Sequence, residues 1–403
     1  MNLYSRHFQK LEALIATGMP GAYKVLVFFL IQYVYDIKTL GAIASWQSIA
    51  QIIGFFTAIG WAALILVRVA KADTTKERVE EFNKLSLMAG ATLVVCCLAT
   101  LAIGAVTQNI SDSIQIVYWI AAWSFYQIPR HYQIALRAYR QAIAMDIFII
   151  FLSICAMLLV PAETVSFWLA LSMLFTGAVT FIIIQKGSNT GKINFSYEIK
   201  GLEFGLVNFL SGGISLSLIP LAAMIESEAF VGVLSLFVST MGIALLIPRA
   251  ISLNQMPKLA KIVDLPKELA SHSITMRKQI TLSNLLTSLA CIAIGLTIAF
   301  RTEHSIPLAN VLLAFLLIIL QSTLSTQGLI NSNILACREK SRSLLKINAI
   351  TSIAFFLSTA LLILNSTNHA FIYICLSTVI LTAYRLHKTK YYVTLTGMQN
   401  QQT

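Results

Sequence analysis

Long apolar runs, separated by short polar segments, follow one another along the whole of this 403-residue chain. A bilayer core about 30 Å thick is crossed by roughly 20 apolar residues in a helix. Stretches of that kind occupy residues 13–34, 41–67, 85–106, 114–136, 143–160, 165–185, 203–224, 229–253, 280–300, 307–327, 344–364 and 369–386. The pattern predicts twelve transmembrane helices, because in lipid a spanning segment must satisfy its own backbone polar groups. Thr74 with Glu77 three residues later predicts a capping box that opens a helix running into the third span. After Met256, Pro257 and Pro266 surround Leu259, Ile262 and Val263. That piece is either an amphipathic helix on the membrane surface or a solvated linker.

Composition agrees with lipid as the solvent. Hydrophobic residues make up 57% and charged residues 11%, with a mean hydropathy of +0.77; a soluble domain carries about 25% charged residues. The net charge of +12 does not point to nucleic acid, since the bases sit between apolar runs rather than with aromatics on a soluble face. They report topology instead. With the first residues in the cytoplasm, only Lys24, Lys38 and Arg301 of the 29 lysines and arginines fall outside cytoplasmic segments, as the positive-inside rule requires. Both termini are therefore expected in the cytoplasm of a bacterial inner membrane. The cysteines show no metal or redox spacing and read as small buried hydrophobes.

The polar segment 186–202, with Gly187, Ser188, Asn189 and Gly191, divides the helices into six and six. The expected organisation is an N-terminal bundle (1–185), a cytoplasmic linker (186–202), a C-terminal bundle (203–386) and a cytoplasmic tail (387–403). An all-α membrane protein of this plan moves a substrate rather than performing chemistry on it. The connections expected outside the membrane are short, the six histidines offer no cluster and no phosphate-binding Walker pattern occurs. No cofactor and no metal are expected.

The segment "DIKTLGAIASWQSIAQIIGFFTAIGWAALILVRVAKA", with Gly41, Gly60 and Arg68, resembles polysaccharide flippases of the Wzx type, in the multidrug/oligosaccharidyl-lipid/polysaccharide (MOP) superfamily. "VGVLSLFVSTMGIALLIPRAISLNQMPKLAKI", with Gly232 and Pro257, repeats the theme in the second half. The resemblance implies two bundles around a central cavity that opens alternately to each side. Its implied cargo is an oligosaccharide carried on undecaprenyl pyrophosphate, for O-antigen or another surface polysaccharide. The implied partners are that lipid-linked oligosaccharide, membrane lipids, and a polysaccharide polymerase and chain-length regulator. The alternatives are a multidrug or other small-molecule exporter of the same superfamily, and a membrane-embedded polymerase or ligase.

A pyrophosphate headgroup needs cations at membrane depth. An unpaired base there costs at least about 2.5–3.5 kcal/mol. Lys24 lies near the middle of the first helix, on a face shared with Thr17, Gly21, Phe28, Gln32 and Tyr35. It is either a ligand for the anion or a lysine held by carbonyls freed near Pro20 and Gly21. Arg249 after Pro248, and Arg130 after Pro129, are either phosphate ligands or anchors at the headgroups. Gln47 and Gln51 are one turn apart and can bond sugar hydroxyls, while Asn208 and Ser211 lie on one stripe beside Gly212 and Gly213; helix packing explains small polar residues equally well. Tyr118, Trp119, Trp123 and Trp168 are expected at the interface. Glu12, Asp146 and Glu203 are expected near helix ends, leaving no carboxylate inside a span, which counts against export of cationic drugs.

Overall fold

A computed structural model of the chain describes residues 3–186, 198–245, 247–248, 251–252, 255, 259, 262–263, 265–301, 308–338, 341–365 and 369–399. The described helices are α1 (Leu3–Val34), α2 (Ile37–Gly54), α3 (Gly60–Lys71), α4 (Thr75–Val106), α5 (Ile110–Ala135), α6 (Tyr139–Leu159) and α7 (Ala162–Lys186). They continue with α8 (Lys200–Ile225), α9 (Glu228–Ala244), α10 (Pro266–Arg301), α11 (Leu308–Cys337), α12 (Ser341–Leu364) and α13 (Ala370–Gln399). Among the described residues each of the twelve apolar stretches corresponds to helix, α2 and α3 forming one span, so the all-α membrane fold is as expected. Ten spans are long and apolar enough to cross a bilayer among the described residues. The other two are α5, made polar by Gln115, Gln127, Arg130, His131 and Gln133, and the shorter α9.

The expected capping box opens α4: Thr74 Oγ1 accepts from Glu77 N at 3.2 Å, and Glu77 Oε2 accepts from Thr74 N at 3.3 Å. The chain forms two compact units, residues 1–220 and 221–403. This division by compactness falls within α8, whereas the six-plus-six division counts spans.

In the first unit α5 is the central helix, packed against α2, α3, α4, α6 and α7, while α1 packs on α6. Trp61, Phe82, Met88, Ile128 and Tyr132 build the core, with the Phe82 and Tyr132 ring centroids 4.8 Å apart. Trp119 is fully buried and donates to Ser166 Oγ at 3.1 Å; it belongs to the core and not to the expected interfacial belt. Tyr118 and Trp168 are exposed.

Between α2 and α3 the helix widens into a π turn, Phe55–Ile59. Gly60 N–H reaches back to the Phe55 carbonyl, and the Phe56 carbonyl that it skips accepts from Trp61 Nε1 at 3.0 Å. Against this turn lies the start of α8. A Cβ on Gly60 would collide with the Gly201 carbonyl oxygen, and one on Gly205 with the Phe55 carbonyl. Gly201 and Gly205 form a Gly-x-x-x-Gly pair that lets backbones touch.

The second unit packs α11 against α13, α10 and α9, with α12 on α13. Phe237 stacks on Phe315 at 4.3 Å and Phe230 meets Phe371 edge-on at 5.6 Å. Leu259 and Val263 are buried in a core cluster with Leu269, Met276, Ile280, Ile330 and Ile334. Those apolar side chains are thus turned into protein, neither spread on the membrane surface nor part of a solvated linker.

Candidate functional site

The polar residues of interest gather in the first unit, along α1, α5 and α6. Pro20 lies inside α1 and has no N–H to give the carbonyl one turn back, Ala16 O. That carbonyl accepts from Arg130 of α5. The same guanidinium grips Asp146 of α6 through Nε (3.1 and 3.3 Å) and its terminal nitrogen (3.2 Å). Tyr126, one turn before Arg130, donates its hydroxyl to the same carboxylate. Arg130 is 4% exposed and Asp146 0%, so the pair is cut off from solvent and joins three helices.

This geometry revises two sequence expectations. Arg130 is not an exposed anchor, and its fork is engaged by Asp146 and the Ala16 carbonyl inside the bundle. Asp146 is a fully buried carboxylate several residues inside α6, not a helix-end charge.

Lys24 stands apart. It is half-buried on α1, its Nζ 5.3 Å from the centroid of the Phe28 ring one turn on. Among the described residues it makes no ion pair. The Ala16 carbonyl that Pro20 frees is used by Arg130, so it is not what holds Lys24. Its neighbour Tyr23 is buried, with its hydroxyl 3.1 Å from Ser153 Oγ of α6. A Cβ on Gly21 would meet nothing within 4 Å, so there is open space one turn from Lys24.

Among the described residues no hydrogen bond or ion pair joins Lys24 to the other candidates. Gln32 is half-buried on α1. Gln47 and Gln51 are 3% and 8% exposed on α2, and Gln47 Oε1 is buried with no hydrogen-bond partner among the described residues. Asn208 donates to Phe204 O and Ser211 to Asn208 O, both at 2.9 Å and both within α8. Arg249 lies outside the described residues.

A second charged group, which the sequence pattern alone did not reveal, sits where α3 ends and α4 begins. Glu198, just before α8, binds Arg68 of α3 through both carboxylate oxygens and Lys84 of α4 at 3.2 Å. Glu81 lies 3.8 Å from Arg68. Hydrogen bonds from Arg68, outweighing partial desolvation, and then from Lys84 draw the Glu198 carboxyl down to about 2. The cluster ties the chain entering α8 to the first unit.

Solved structures share this arrangement of helices. Over 97% of this chain and 99% of the other, it is similar to an inward-facing multidrug resistance MATE family transporter of the MOP superfamily, with a TM-score of 0.67 and 12% identity. The MATE multidrug transporter DinF-BH, in complex with R6G, is similar over 94% of both chains (TM-score 0.57, 14% identity). The eukaryotic MATE transporter AtDTX14 is similar over 100% and 99% (TM-score 0.59, 13% identity). At these identities the likeness is one of fold alone, and none of these three is a polysaccharide flippase. No family model matches the sequence, and no curated protein matches it.

Proposed function

We propose that the chain is a membrane transporter that exports small organic molecules, as the multidrug transporters sharing its fold are named for doing. The observation that carries this reading is fold likeness from end to end of both chains, at a TM-score of 0.67. The sequence argument against export of cationic drugs was the lack of a carboxylate inside a span; Asp146 is a carboxylate within α6, but Arg130 and Tyr126 engage it, so the argument is weakened and not removed. The test is growth of an exporter-deficient bacterial host against a panel of toxic organic cations, anions and neutral compounds. Expression should raise tolerance to at least one class. Unchanged tolerance to every class, with the protein present in the membrane, would count against export.

Lys24 favours a second reading, translocation of an undecaprenyl-pyrophosphate-linked oligosaccharide. A half-buried ammonium with no ion pair among the described residues suits an anionic cargo. In this reading Lys24 and Arg249 bind pyrophosphate, and a polymerase and chain-length regulator act next on the product. The inner membrane, with both termini cytoplasmic, is the proposed setting for either cargo. Under the flippase reading Lys24→Ala abolishes surface polysaccharide at normal protein level and Lys24→Arg restores it. Full polysaccharide from Lys24→Ala would remove Lys24 from that role.

A further inference from the structure

A cavity of 440 Å³ opens in the flank of the first unit between α4, α5 and α7. Its walls are Leu87, Leu93, Phe125, Ile128, Pro129 and Phe181. At the rim Leu87 and Phe125 are 46% and 44% exposed. The neighbouring exposed side chains, Val94 of α4 with Ile182 and Ile183 of α7, are apolar as well. A surface of that kind on a membrane-spanning bundle faces lipid, so the cavity is reached from the bilayer. Neither Lys24 nor any other residue of α1 lines it.

Two features distinguish it from a chance gap between helices. The floor is polar: Asn83 and Gln185 pair their amides reciprocally, Thr57 and Ser124 share a hydrogen bond at 2.8 Å, and Ser86 Oγ is buried with no partner among the described residues. An unpartnered hydroxyl in such a place costs about 1–3 kcal/mol. The second feature is Gly90, which lines the cavity in mid-helix. Glycine there destabilises a helix by roughly 0.5–1 kcal/mol relative to alanine. Close packing does not require it, since an added Cβ would meet nothing within 4 Å. A small residue there leaves the cavity space unfilled.

We propose that this cavity is a binding site for a small, uncharged amphipathic molecule that arrives through the lipid, its ring or chain body between Phe125 and Phe181 and its one polar group on Ser86. A volume of 440 Å³ is within the usual range for small-molecule sites, about 300–1,000 Å³. A phospholipid acyl chain is the less suitable occupant, because it would leave the polar floor unmatched.

The probe is a diazirine-substituted phenol, photolysed with the full-length protein in liposomes, its adducts located by peptide mass spectrometry. Saturable labelling is expected at Leu87, Phe125 or Phe181, competed by unlabelled phenol. Gly90→Leu starts from a Cβ that meets nothing within 4 Å, occupies part of the cavity and should weaken apparent affinity about tenfold, equivalent to about 1.4 kcal/mol. Ser86→Ala should weaken it by a smaller factor, and Gly90→Ala, which leaves most of the space, should fold and bind nearly as the parent does. Labelling that does not saturate, that is unchanged by Gly90→Leu or Ser86→Ala, or that only added phospholipid displaces would overturn the proposal.

Discussion

Arg130 is held by Asp146 and by the carbonyl that Pro20 leaves over, and Tyr126 donates to the same Asp146 carboxylate. A guanidinium and a carboxylate inside one bundle gain stability only as a matched pair; removing one partner leaves the other charge buried at a cost of about 3–5 kcal/mol. Asp146→Leu and Arg130→Met should therefore each lower the thermal unfolding temperature sharply, while the double variant regains much of the loss. Unfolding curves in detergent give the coupling, and simple additivity of the two losses would show that the pair does not act as a unit. Glu198 is a different kind of residue, at the edge and one quarter exposed. Its folded pKa lies below the ordinary value, 4.5 falling to about 2. The stability it contributes is then fully present above pH 4.5 and is lost as the pH falls towards about 2. The gap in unfolding temperature between the parent and Glu198→Gln should be widest near neutrality and should narrow below pH 4.5. A gap that does not change with pH would mean the side chain acts by shape alone.

At the scale of elements, the close approach of α8 to α3 depends on hydrogen atoms in place of side chains. Gly60→Ala drives a Cβ into the Gly201 carbonyl, a backbone atom that cannot rotate away. It should cost about 1–3 kcal/mol, the usual penalty for overpacking, and Gly205→Ala, aimed at the Phe55 carbonyl, should do the same. Gly90→Ala, with open space around it, should be neutral or stabilising; comparable losses at all three glycines would contradict the packing account. The helices themselves were legible, because apolar runs of spanning length have few other solutions in lipid, and Thr74 with Glu77 marked the start of α4 correctly. The Gly201–Gly205 spacing is a legible sign of close packing in the sequence. What sequence could not give was which helices meet. Asp146 follows Arg130 by sixteen positions across a helix connection, so their pairing depends on the register between α5 and α6. The destination of Ala16 O likewise depends on a partner 114 residues away. Lys24 was found because a cation in an apolar run is conspicuous wherever the run packs.

At the scale of the whole molecule, the chain shares its fold with MATE transporters, while transport and its cargo both rest on proposal. Export and flipping make opposite demands on what crosses, a free organic molecule or a headgroup whose lipid tail remains in the bilayer. The most direct measurement is accumulation of fluorescent organic dyes of both charges in energised, exporter-deficient cells with and without this protein. Export predicts lower steady-state accumulation of at least one dye, restored to the control level when the membrane is de-energised. Equal accumulation of every dye, together with loss of surface polysaccharide when the gene is deleted from its own host, would contradict export and establish the lipid-linked cargo in its place.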